Sequence, residues 1–435
     1  MSTHTYQQFI FERYEFDTSD KTIRFHYSLD GIIEFCETYT FNFEFAPYDP
    51  NVLDKAVQTL FFMAGVSYYK TYIPSEIVVK QGSLDAEEAD FYSKVYQRGL
   101  GEFWYVNGLD PGTPVDFPTT SSAPPRVDTD SLNSTGLLIG LGGGKDSLVT
   151  IELLRQSGQQ ISTWALGHHK QLQPLVKQTG LPHFAVDRQW DRKLLEINES
   201  GGLNGHVPIS AIMAATGIVT SILSGRRDVV VSNEYAANEA TLVYRGVLIS
   251  HQYSKSQEFE RDFQAHLARI YGDKLRYYSF LRPLSELRIA ELFAKTCFDT
   301  YKGVFSSCNH AYTHYSPGLY WCGTCPKCAF VFLIFTPFID RSELESLWGD
   351  KNLLLDPTLR PTYRQLLGIE GNKPLECVGE IRESRTAMRL AESIYPELTE
   401  HYDFTIPADY NYKELQASEM PAEIQEIFIQ SVQKY

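Results

Sequence analysis

Leu137-Leu138-Ile139-Gly140-Leu141-Gly142-Gly143-Gly144-Lys145-Asp146-Ser147 decides the architecture. The first residues are a short apolar run, as in a buried strand, and Leu148 to Arg155 then carries helical spacing. Consecutive glycines between a strand and a helix let the backbone approach a ligand closely, and the helix start offers unpaired N–H groups with a partial positive charge. Pyrophosphate suits such a turn. Neither the Gly-x-x-x-x-Gly-Lys-Ser/Thr loop nor the dinucleotide glycine spacing is present.

Outward from the loop, strand and helix signals alternate. Apolar runs at Ile161 to Leu166, His183 to Val186, Val229 to Val231 and Tyr277 to Leu281 are separated by helical patterns at Ile209 to Leu223 and Ser256 to Ile270, with Ser285 to Lys295 following. This order predicts an α/β protein with a Rossmann-like, mostly parallel sheet and helices on both faces. Before the loop, Thr22 to Leu29 and Tyr39 to Phe45 alternate apolar and polar residues around an Asp30-Gly31 turn, which predicts a small antiparallel sheet. Pro114, Pro118, Pro124 and Pro125 mark a linker. The expected units are an N-terminal α+β domain (1–115), a linker (116–132), a phosphate-binding domain carrying the loop (133–300) and a Cys-rich, helical C-terminal region (301–435).

The 435 residues exceed one ordinary core, and 43% apolar with 21% charged residues describe a globular enzyme. A net charge of −15 argues against nucleic acid as a partner. Met1 to Phe9 has no secretory pattern and no apolar run approaches the ~20 residues of a membrane helix, so the expected location is the cytoplasm, without a membrane partner. Seven cysteines, three of them within Cys322-Gly323-Thr324-Cys325-Pro326-Lys327-Cys328, fit a reducing compartment and a metal site. With Cys308 they provide four thiolates for a closed, structural zinc. His310 or His314 is an alternative fourth ligand, and an iron–sulfur cluster an alternative occupant. Cys36, Cys297 and Cys377 are isolated and read as core residues.

Gly142 to Ser147 resembles the Ser-Gly-Gly-x-Asp-Ser loop of the PP-loop ATP pyrophosphatase family, with Gly142 where that family has Ser. The resemblance implies cleavage of ATP to AMP and pyrophosphate, with Mg2+ held in part by Asp146 and phosphate by residues 142–147. Lys145 would neutralise charge on the departing pyrophosphate. The cysteine run resembles that of 7-cyano-7-deazaguanine synthases. Glu12 to Asp17, Ala64 to Lys70, Gly101 to Leu109, the loop, Ser232-Asn233-Glu234 and the cysteines together look like the UDP-N-acetylmuramoyl-L-alanyl-L-glutamate epimerase family.

That last resemblance implies ATP-dependent inversion of the terminal glutamate of a UDP-sugar dipeptide through an adenylated carboxylate, in peptidoglycan precursor synthesis. It also implies a functional partner, a ligase adding L-glutamate to the muramoyl precursor. Open α/β sheets bind ligands beyond the carboxyl ends of their strands, so the segment after the fourth strand supplies candidates. His251 is the candidate acid or base; Glu234, Arg245 and Lys255 are the candidate substrate ligands, with Glu239 and Tyr253 nearby. Phe103-Trp104-Tyr105 reads as a buried aromatic stretch or a platform for uracil. A nitrile synthase, a tRNA thiolase and a nucleotide-sensing protein without chemistry are the competing accounts.

Overall fold

The computed structural model describes residues 5–123, 127–132, 134–312, 316, 318–398 and 402–435. Pro124, Pro125 and His314 lie outside them. The strands are β1 (Gln8–Asp17), β2 (Thr22–Leu29), β3 (Ile33–Phe41), β4 (Glu76–Val79), β5 (Leu137–Gly140), β6 (Ile161–Leu166), β7 (His183–Gln189), β8 (Asp228–Val231), β9 (Leu242–Tyr244), β10 (Val247–Ile249) and β11 (Arg276–Ser279). Nine of them form one sheet in the order β11-β8-β5-β6-β7-β3-β2-β1-β4, and β9 and β10 form a separate hairpin.

Within this sheet β11, β8, β5, β6 and β7 run parallel. Numbered along the chain, their order is 5-4-1-2-3, so the direction of winding reverses between β5 and β8. A crevice opens at the carboxyl ends of two such strands because their following connections leave toward opposite faces. The antiparallel strands are the flank of the same sheet: β3 pairs with β7 from Thr38↔Gln189 to Phe41↔Val186. Residues 1–115 therefore contribute four strands to the sheet that carries the glycine loop.

The period of two in a strand sorts the core into two layers. Leu137, Ile139, Val230 and Tyr278 face one layer, with the helices Lys145–Arg155, Glu286–Thr296 and the C-terminal region. Leu138, Val229 and Tyr277 face the other, with the helices Pro50–Ala64, Ile209–Ser224 and Gln257–Tyr271. Ile209–Ser224 is apolar almost all round because it lies between the sheet and Pro50–Ala64. A Cβ at its Gly217 would stand 2.8 Å from Val229, so glycine permits this approach to the sheet. In the C-terminal region, the helix Pro326–Phe335 is buried from Lys327 to its end.

The strand expected over Tyr39 to Phe45 starts and stops earlier, at Ile33–Phe41; Phe43 instead leaves the ladder and packs edge-on against Phe184 at 5.0 Å. Phe103 and Trp104 are buried, and Tyr105 meets Tyr244 at 5.3 Å. Among the described residues, no helix is long and apolar enough to cross a membrane.

Candidate active site

The glycine loop leaves β5 at the point where the sheet reverses. Its helix, Lys145–Arg155, begins at Gly144 with no side-chain cap, so the first-turn N–H groups are directed at the crevice without a protein acceptor from a capping side chain. Gly143 has φ +83°, and a Cβ there would stand 2.1 Å from the Tyr312 hydroxyl. Gly142 has nothing within 4 Å of its Cβ position. A cavity of about 300 Å³ opens above the loop, lined on the β5 side by Gly142, Gly144, Asp146 and Ser147 and on the β8 side by Ser232 and Asn233.

A strap from the C-terminal region holds this loop from the other side. The Ser306 N–H donates to the Gly143 carbonyl at 3.0 Å. The Tyr312 hydroxyl donates to the Gly142 carbonyl at 2.6 Å and lies 3.0 Å from that of Ser306. Between them, the buried Ser307 hydroxyl has no hydrogen-bond partner among the described residues, and a Cβ on Gly144 would be 2.5 Å from it. An unpaired buried hydroxyl costs about 1–3 kcal/mol, which a phosphate oxygen above the loop would offset. Uncapped amides, an orphan hydroxyl and a cavity thus fit an anion, and the Asp146 side chain stands on the same wall.

Cys308 belongs to the same strap. Its sulfur and those of Cys322, Cys325 and Cys328 lie within 4.8 Å of one another, at 3.9 Å for Cys308–Cys325 and 3.7 Å for Cys322–Cys328. Four converging thiols fit one tetrahedral ion. Cys308, rather than His310, completes this quartet.

The remaining sequence candidates separate. Lys145 is fully buried and turned inward, bonded to Asp146 and Glu286; burial disfavours its charge, but the two carboxylates hold its pKa above the usual value. Asp146 and Lys255 both line the cavity. Glu234 is buried, and its carbonyl accepts from Arg282 at 2.7 Å. Arg282 also donates to the Lys255 carbonyl at 2.6 Å and pairs with Glu260, so it fixes the β8 segment and Lys255 together. Arg245 is exposed at the turn of the β9–β10 hairpin, over Tyr244, and does not line the cavity. Glu239 pairs with Lys373 and Tyr253 is buried.

His251 sits one shell behind the cavity, between the Glu102 carboxylate and Cys377. Burial works against its protonation, but the hydrogen bonds to Cys377 and Glu102 raise its pKa to about 9. Cys377 is not a core residue: it lines the cavity, half-buried, and accepts from the Lys255 ammonium at 3.1 Å. Lys327 lines the cavity too and donates to the Cys377 carbonyl. Ser307, Lys327 and Cys377 are functional candidates that sequence reasoning passed over. Only Lys327 carried a signal, its place inside the cysteine run.

Fold and site define an α/β protein with a glycine loop and an uncapped helix start at the reversal point of its sheet, clamped by a cysteine-bearing strap. Family models for the MurL N-terminal domain and the MurL C-terminal domain match residues 1–280 and 304–401. Similar proteins include one from Xanthomonas oryzae pv. oryzae, 39% identical over 90% of this chain and 87% of its own. One from Salinispora tropica is 38% identical over 88% and 84%, and one from Micromonospora sp. 38% over 88% and 86%. All three are named UDP-N-acetyl-alpha-D-muramoyl-L-alanyl-L-glutamate epimerase. The chain belongs to the MurL family.

Proposed function

We propose that this protein inverts the terminal L-glutamate of UDP-N-acetylmuramoyl-L-alanyl-L-glutamate to D-glutamate, with ATP cleaved to AMP and pyrophosphate. The relatives' names supply the substrate. The observation that carries the use of ATP is the uncapped, glycine-lined helix start with the unpartnered Ser307 hydroxyl above it.

An ionised carboxylate resists a second negative charge on the neighbouring carbon. Its adenylate, an acyl anhydride, accepts those electrons into the carbonyl as an enolate, so adenylation acidifies Cα. The loop amides and Ser307 would grip the leaving pyrophosphate, and Asp146 would orient Mg2+, which screens phosphate charge when bound. Lys255 and Lys327, the two lysines on the cavity wall, would hold the substrate carboxylate and the developing oxyanion. Water then releases AMP and the epimerised acid. Cys308, Cys322, Cys325 and Cys328 would hold a structural zinc.

Incubating the pure protein with the muramoyl dipeptide, ATP and Mg2+ in D2O tests this. The expected products are AMP, pyrophosphate and D-glutamate with deuterium at Cα; no AMP and no label would end the reading.

A further inference from the structure

Cys377 stands on an irregular segment, distant in sequence from the loop, yet it lines the same cavity as Asp146 and Ser147. Three basic groups beside it, Lys255, His251 and Lys327, favour the thiolate. The Lys255 ammonium donates to the sulfur at 3.1 Å, the His251 imidazole beside it favours its anion, and the Lys327 ammonium is bound to its carbonyl. Glu376 is turned away, its carboxylate accepting from the Lys327 N–H at 3.1 Å and the Asn309 amide at 3.0 Å. Burial disfavours the thiolate, but Lys255, His251 and Lys327 lower its pKa to about 6.

His251 is itself oriented. Glu102, from the helix Gly101–Val106, holds its Nδ1, and the His206 ring lies 4.7 Å away. Burial keeps His206 down at about 4, whereas His251 is raised to about 9. Thiolate and imidazolium thus form a pair next to a lysine, the arrangement that makes a cysteine reactive at neutral pH.

We propose that Cys377 is the catalytic base that takes the Cα proton of the activated glutamate, with His251 and Glu102 as positioning residues acting through it. This rests on the adenylation reading above. The Cα–H proton moves to sulfur and the C–H electron pair becomes the enolate, beside the Lys255 ammonium. A water molecule protonates the opposite face, and the hydroxide it leaves takes the thiol proton, restoring the thiolate. Its place on the cavity wall, with its sulfur held by Lys255, distinguishes it from Cys36 and Cys297, which do not line the cavity.

The test uses the full chain, metal-loaded, with the muramoyl dipeptide and ATP in D2O, and reads Cα deuterium per AMP released. Cys377→Ser should lower that ratio at least 100-fold. A ratio within threefold of the unsubstituted chain overturns the proposal. So does a substrate-acyl adduct on Cys377 by mass spectrometry, which would make the sulfur a nucleophile. Absence of AMP from the unsubstituted chain instead overturns the adenylation reading. Should Cys377→Ser fold poorly, iodoacetamide labelling of the unsubstituted protein decides: Cys377 should be alkylated with a midpoint near pH 6, shifting upward in His251→Gln. A midpoint near 9 in both overturns the thiolate.

Discussion

The Ser306 N–H donates to the Gly143 carbonyl at 3.0 Å, two residues before Cys308 enters the thiol quartet. Whatever holds the quartet therefore holds the clamp over the phosphate loop. Removing the proposed zinc with a chelator, or Cys308→Ser, should weaken ATP binding about tenfold, ~1.4 kcal/mol, although none of these four thiols lines the cavity. Calorimetric titration of ATP before and after metal removal measures it; equal affinities would detach the quartet from the loop.

The loop's own glycines differ in what they tolerate. Gly143→Ala places a Cβ at positive φ and 2.1 Å from the Tyr312 hydroxyl, so the strap must move; a loss of about 1–3 kcal/mol and of ATP binding is expected. Gly142→Ser fills open space and restores a hydroxyl where PP-loop enzymes have one, so stability should stay within about 0.5 kcal/mol with ATP bound no more weakly. Thermal melts with and without ATP separate the two.

How much of this was legible in sequence follows from locality. The loop and the cysteine run are contiguous, and the parallel strands announce themselves as apolar runs between helical patterns. β1 was passed over because a register shift between Phe11 and Arg13 breaks its alternation, and β4 has only four residues. Lys145, placed beside phosphate by its position in the motif, turns inward because Glu286 on a neighbouring helix offers a buried partner. Cys377 looked isolated because its partners Lys255 and His251 come from a segment more than a hundred residues earlier. Single-chain patterns do not register such meetings.

His266 gives the fold an acid limit. It is buried, stacked on Phe91 at 4.8 Å with Thr59 3.2 Å from its Nε2, and burial pushes its pKa down to about 3. The folded state keeps the ring neutral while the unfolded chain binds a proton from about pH 6.5 downward. Its contribution is full above that value and lost as pH falls toward 3, at up to about 1.4 kcal/mol per unit. Urea melts of the chain and His266→Asn across pH 7 to 4 should differ in slope by nearly one proton; parallel slopes would sink the assignment.

Lys145 and Glu286 are both fully buried, one at the start of the loop helix and the other at the start of Glu286–Thr296, whose first N–H donates to the Glu383 carboxylate at 3.0 Å. Lys145→Met would leave Glu286 with only the Lys327 ammonium, 3.8 Å away, in a site where burial already raises its pKa. The expected loss is about 3–5 kcal/mol of stability. Lys145→Met with Glu286→Gln removes both charges and should recover part of it, because the penalty lies in the uncompensated carboxylate. A phosphate-binding lysine behaves differently: its loss would spare the melting temperature, cripple AMP formation, and gain nothing from the second substitution. Denaturant melts of the two variants beside their AMP release choose between a lysine that ties the loop helix to its neighbour and one that meets the nucleotide.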